Sequence, residues 1–128
     1  MPNIAPAKEW LKQADYDIET AEFMFNGGRY FYSVFMCHLS IEKALKGLYQ
    51  FTLNELPPKT HNLVYLLNKI EIKPDEKIGR FMIKLNEANI ATRYPEDLAI
   101  LQKNYSKKIT HTIFTDTKEA LQWIKQQF

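Results

Sequence analysis

Apolar residues along this chain recur at helical rather than strand spacing. From Trp10, the positions Ala14, Ile18, Ala21 and Phe25 share one face of a helix predicted over 5–26. Gly27-Gly28 ends it, because glycine takes the left-handed conformation at a helix end without steric cost. A second helix is predicted over 30–52, with Tyr30, Val34, Cys37, Ile41, Leu45 and Leu48 on its main stripe. A second stripe of Phe31, Phe35, His38 and Leu39 runs beside it, and that side then turns polar through Glu42, Lys43, Lys46 and Gln50. A helix apolar on two sides is either central in a bundle or half in a subunit interface. Phe31, Phe35 and Leu39 are the candidates for such an interface between two copies.

Pro57-Pro58 interrupts the pattern, and Thr60 is the expected N-cap of a short third helix using Leu63, Leu66, Leu67 and Ile70. Pro74, followed by acidic Asp75 and Glu76, suits the first turn of a fourth helix that buries Ile78, Phe81, Leu85 and Ala88. Pro95 disfavours the helical state of Tyr94, so this helix is expected to end near Ala91. Asp116-Thr117-Lys118-Glu119 reads as an aspartate form of the capping box opening the last helix. Ala120, Ile124 and Phe128 then form its inner stripe, with Leu121 beside them. Residues 92–114 are left without a regular element, and the tail 108–114, rich in β-branched residues, is compatible with extended chain. So long a loop in a compact domain is unusual and often functional. The predicted fold is an all-α, up-and-down bundle of four to five helices, one domain over 1–128.

Composition narrows this picture without redirecting it. A chain of 128 residues suits one domain, and 45% hydrophobic with 25% charged residues is a globular balance. No apolar run reaches the roughly 18 to 20 residues of a membrane span, and the N-terminus lacks a secretory pattern. A cytoplasmic protein without membrane contact is the expectation. Seventeen basic against fifteen acidic residues are too evenly balanced to indicate nucleic acid without local clustering. Cys37, the one cysteine, lies on the apolar stripe and is expected to be buried and inert. The three histidines have no zinc spacing with it, and no phosphate loop or dinucleotide fingerprint is present. Neither a metal nor a cofactor is expected.

Three stretches carry a family resemblance. They are Glu9-Trp10-Leu11-Lys12-Gln13-Ala14 with Asp15 and Asp17 following, then Gly28-Arg29-Tyr30 through Cys37-His38-Leu39-Ser40-Ile41-Glu42-Lys43-Ala44-Leu45-Lys46, and finally Thr60-His61-Asn62-Leu63 with Thr92-Arg93-Tyr94-Pro95. In order and spacing they resemble the HEPN domain family. Ser40 and Ile41 stand where glutamine and alanine are common in that family. The resemblance implies a helical bundle that often forms a homodimer and is often paired with a small nucleotidyltransferase. It also implies nucleotide or RNA handling, and in many members a metal-independent ribonuclease acting as a toxin. The catalytic string of those ribonucleases is arginine, four to six residues, then histidine. Here eight residues separate Arg29 from His38 and seventeen separate Arg93 from His111, and Arg80 has no histidine at a useful distance. The ribonuclease residues therefore do not carry over.

Several side chains carry chemistry in their own right. His38 and Glu42 are four apart on one helical face, either a carboxylate-held imidazole or a satisfied interior pair. Arg93 and Tyr94 offer a forked phosphate donor and a stacking ring, or a helix cap and a packed ring. Lys103, Tyr105, Lys107 and Lys108 form a basic patch with an interleaved aromatic, able to follow a nucleic-acid backbone or simply solvated. His61 is expected to serve the start of the third helix by bonding its backbone. Asp15 with Asp17 reads as solvated charge. Two functions follow: a HEPN binding subunit of a toxin–antitoxin-like pair, engaging a nucleotidyltransferase and a nucleotide or RNA; or a ribonuclease rearranged around Arg93 with His38 or His111.

Overall fold

Small residues repeat every seven positions on both of the first two helices. Ala7, Ala14 and Ala21 on α1 (Ile4–Asn26) are buried, and so are Ser33, Ser40 and Gly47 on α2 (Tyr30–Leu53). In the computed structural model, which describes residues 4–128, the two sets face each other in antiparallel register. The Ser33 hydroxyl donates to the Ala21 carbonyl at 2.7 Å, and the Ser40 hydroxyl donates to the Ala14 carbonyl at 2.8 Å. At the other end a Cβ on Gly47 would stand 2.8 Å from Cβ of Trp10, so glycine is what lets the helices meet there. The Trp10 indole N–H donates to Gln50 Oε1 at 2.9 Å and closes that end.

The helices continue as α3 (Leu63–Ile70), α4 (Glu76–Arg93), α5 (Leu98–Asn104) and α6 (Lys107–Lys125). The molecule is an all-α helical bundle, and no strand occurs among the described residues. The second helix packs on each of the other five, which explains its two apolar sides. Its Ile41, Leu45 and Leu48 are fully buried, as are Leu63, Leu66, Met82, Leu85, Ile113 and Ile124 of the helices around it. Cys37 lies in this core, where burial pushes its thiol pKa up to about 12, so it stays protonated. No helix among the described residues is long and apolar enough to cross a membrane.

Helix ends follow local chemistry, with shifts from the sequence reading. Gly28, at φ 76°, ends α1: its N–H bonds the Phe25 carbonyl while the Arg29 N–H bonds that of Met24. Asn62, not Thr60, caps α3 by accepting from the Tyr65 N–H at 3.1 Å; the Thr60 hydroxyl oxygen instead accepts from the Asn62 N–H. Asp75 caps α4, leaving Pro74 outside the helix, and α4 runs on to Arg93 before the constraint of Pro95 on Tyr94 takes effect.

The largest difference lies in 92–114, which is helical almost throughout. Asp97 caps α5 and Ser106 caps α6, so α6 starts well before the Asp116 string, which lies inside the helix. The buried stripe of α6 is Thr110, Ile113, Thr117, Ala120, Leu121 and Ile124. Two threonines on that stripe hide its helical period when they are counted as polar. The Thr117 hydroxyl is absorbed by the Ile113 carbonyl at 2.7 Å, which leaves its methyl to pack. Low β-branched helix propensity is a weak force beside that burial. Phe128, expected in this helix, lies beyond its end and packs its ring on Phe51 at 5.5 Å.

Asp17 is also corrected: it is buried rather than solvated, and its carboxylate pairs with Lys43 at 2.9 Å. Asp15 pairs with Lys125 at 2.6 Å, tying α1 to α6.

Candidate functional site

The polar side of α2 faces the start of α3 and the second half of α4. Glu42 is the hub there, 4% exposed. Its Oε2 accepts from Lys46 Nζ at 3.1 Å, one turn along α2, and its Oε1 lies 2.8 Å from Nδ1 of His61. An ionised carboxylate can only accept, so Nδ1 of His61 carries the proton and Nε2 is left as the ring's basic atom. The prediction that His61 bonds backbone is corrected: its partner is a carboxylate on another helix. His38 Nδ1 is 3.9 Å from the same Glu42 oxygen, too far for a hydrogen bond. Burial drives the His38 pKa down to about 4 against the opposing pull of Glu42, so the ring is neutral at pH 7.

Asn86 of α4 fixes the frame. Its Oδ1 accepts from the Leu63 N–H and its Nδ2 donates to Asn62 Oδ1, both at 2.9 Å, so the start of α3 is pinned to α4. Further along the same helix stand Asn89 and Arg93. The Arg93 guanidinium lies over the Phe35 ring, 4.9 Å from its centroid, held by cation–π attraction. His61, Asn86, Asn89, Arg93 and the exposed Tyr94 open onto one cleft of about 320 Å³.

Unmet hydrogen-bonding capacity concentrates at this place. Among the described residues, buried side-chain polar atoms without a hydrogen bond include Oδ1 of Asn89 and Nε of Arg93 at this cleft and both nitrogens of His38 behind it. Buried polar groups are ordinarily satisfied, so such a cluster marks a place where the chain has not been optimised for its own stability. Chemically the cleft offers a guanidinium, an amide oxygen and an oriented imidazole. The guanidinium can grip a phosphate and the imidazole can move a proton, while the amide oxygen, an acceptor, suits a hydroxyl or amine donor.

The sequence candidates divide between places. Arg93 and Tyr94 line this cleft, and Glu42 and His38 lie buried behind it, with Glu42 reaching it through His61. Lys107 and Lys108 line a different cleft together with His111 and Phe25, and Lys103 ends the neighbouring α5. His111 therefore does not join Arg93. Phe31, Phe35 and Leu39 are each half-buried within the single chain, Phe35 beneath Arg93 and Phe31 with its ring centroid 4.4 Å from that of Tyr32. The sequence reading missed His61 as a site residue, and Asn86 and Asn89 altogether. Only the Thr60–Leu63 string pointed toward them, since the pairing of His61 with Glu42 spans nineteen positions.

Comparison with known proteins agrees with this architecture. Over 137 aligned positions the chain is 29% identical to "Putative toxin MJ1304" of Methanocaldococcus jannaschii, covering 96% of this chain and 88% of that protein. The crystal structure of ST0689, an archaeal HEPN homologue, superposes with a TM-score of 0.76 at 25% identity, covering 94% of this chain and 96% of the other. TT1696 from Thermus thermophilus shares the fold with a TM-score of 0.78 at 21% identity, over 95% and 98% of the two chains. The model of the HEPN domain matches residues 7–127, and the chain belongs to the HEPN domain family.

Proposed function

We propose that this protein is the HEPN component of a toxin–antitoxin-like pair and that its cleft between α2, α3 and α4 binds the phosphate of a nucleotide or RNA. The observation that carries this reading is the unsatisfied Nε of Arg93 at a cleft that His61 also enters. A phosphate oxygen supplies acceptors for the guanidinium, and Tyr94, 71% exposed, offers a ring face to a base. The relative named as a toxin supports the toxin-like role. Arg93→Ala tests it: labelled RNA or nucleotide should bind the wild type, and binding should weaken at least tenfold in the variant. Equal affinity would remove the cleft from the proposal.

The nucleotidyltransferase partner, the homodimer and the cytoplasmic location belong to the same proposal and rest on the family resemblance. Ile90 and Ile100 are exposed and line one opening between α4 and α5, a candidate surface for a second copy besides the half-buried Phe31, Phe35 and Leu39. Light scattering on Ile90→Asp tests this, with a fall from dimer to monomer mass expected.

A ribonuclease reading is favoured by one specific observation, the hydrogen bond that fixes His61 on Glu42. Nε2 of His61 would take the proton of an RNA 2′-hydroxyl, whose oxygen attacks the adjacent phosphorus. The 5′-oxygen would leave with that proton, giving a 2′,3′-cyclic phosphate, while Arg93 stabilises the charge on the phosphoryl oxygens. Incubation with tRNA in EDTA decides between the readings. Cleavage lost in His61→Ala supports the enzyme; binding without cleavage supports the module.

A further inference from the structure

A second cleft, of about 440 Å³, opens where the α1–α2 turn meets the α5–α6 turn. Arg29, Phe31 and Tyr32 line one wall, and Gln102 and Tyr105 line the other. Tyr32 is 51% exposed, and the Phe31 and Tyr32 rings lie 4.4 Å apart. Next to it, past Ser106, Lys107 and Lys108 line a further opening beside His111 and Phe25. Rings continue across the boundary, with Phe25 5.5 Å from Tyr30 and 5.6 Å from His111.

The cations of this face are unneutralised. Arg29, Lys107 and Lys108 form no ion pair among the described residues, as is true of most cations of this chain, and here they stand beside ring-lined openings. The nearby Asp97 already accepts from the Ile100 N–H as the cap of α5. From this face we infer a second binding subsite, which stacks a base of single-stranded RNA on Tyr32 and Phe31 and holds the flanking phosphates with Arg29, Lys107 and Lys108. Cations alone suit any acidic surface. A ring-lined cavity beside them suits unpaired bases, whose faces stack on aromatics whatever their sequence.

The two clefts are separate openings whose linings come close to one another beside the first turns of α2. Phe31 and Phe35 are one turn apart, a rise of about 6 Å, and Phe35 lies beneath Arg93 of the first cleft. One strand can therefore reach both. The protein then prefers an oligoribonucleotide to a mononucleotide, because only the longer ligand engages both subsites at once. This inference rests on the reading of the first cleft as a phosphate site, and the following experiment separates the two.

Fluorescence anisotropy compares a labelled single-stranded oligoribonucleotide with a labelled adenosine monophosphate. The proteins are the wild type, Tyr32→Ala, the Lys107→Glu/Lys108→Glu double variant and Arg93→Ala. Both Tyr32→Ala and the double variant should weaken the oligonucleotide at least tenfold and leave the mononucleotide unchanged. The double variant should also lower the dependence of affinity on salt. Oligonucleotide affinity unchanged in these two, with loss in Arg93→Ala, overturns the second subsite and leaves the first cleft standing. Loss in the double variant alone overturns base stacking. Loss in both with Arg93→Ala unaffected upholds this subsite and overturns the first cleft. A wild type that binds no oligonucleotide overturns both.

Discussion

Glu42 and His61, nineteen positions apart, meet at 2.8 Å with the carboxylate buried and the imidazole half exposed. The carboxylate fixes which ring nitrogen holds the proton, and Lys46 donates to its other oxygen. The dyad therefore joins the interior of the bundle to the cleft.

Replacing Glu42 with Gln should release that control. Imidazole nitrogen NMR of the neutral wild type should show the proton on Nδ1 of His61, and the variant should gain the Nε2-protonated form. Unchanged nitrogen shifts would remove Glu42 as the orienting group. The variant also leaves Lys46 buried without its anion, which should cost about 1–3 kcal/mol of stability.

Arg93 combines charge with a flat face. Arg93→Lys keeps the charge but loses the stack on Phe35 and the forked donors, so it should recover only part of the RNA affinity lost in Arg93→Ala. The alanine variant should lose about 1.5–3 kcal/mol of binding free energy at fixed salt. Full recovery by lysine would show that charge alone matters.

Stability should fall in mild acid because of His38. Its folded pKa of about 4 lies below the ordinary value of 6.5, so the unfolded chain takes up a proton that the folded chain refuses. The stabilisation is complete above pH 6.5 and is lost as pH falls toward 4, by up to roughly 3 kcal/mol. Urea midpoints at several pH values, compared with His38→Gln, measure it. Equal pH dependence in the two proteins would assign the loss elsewhere.

Gly47→Ala sets helix propensity against packing. Alanine in a helix gains about 1 kcal/mol over glycine. The added Cβ, however, would press on Cβ of Trp10, a stem atom that cannot swing aside. Overpacking of this kind costs about 1–3 kcal/mol, so the melting temperature should drop by a few degrees. A rise would show that the seam between α1 and α2 can open.

By itself the sequence determined the features that depend on neighbours along the chain. The glycine stop at Gly28, the apolar stripes of α1 and α2 and the break at Pro57-Pro58 follow from period and local backbone preference, whereas the two apolar sides of α2 left a central place and a subunit interface both open. The strings around His61 and Arg93 marked part of the cleft lining, Thr60, His61, Asn62, Arg93 and Tyr94, but not Asn86 or Asn89. Tertiary structure alone decided what those residues touch. The start of α6 stayed hidden because Thr110 and Thr117 count as polar until the fold shows both buried on its inner stripe. His61 finds Glu42, Arg93 finds Phe35, and the lysines of α6 fall in a separate cleft, because side-chain partnership is set by which helix faces meet in space.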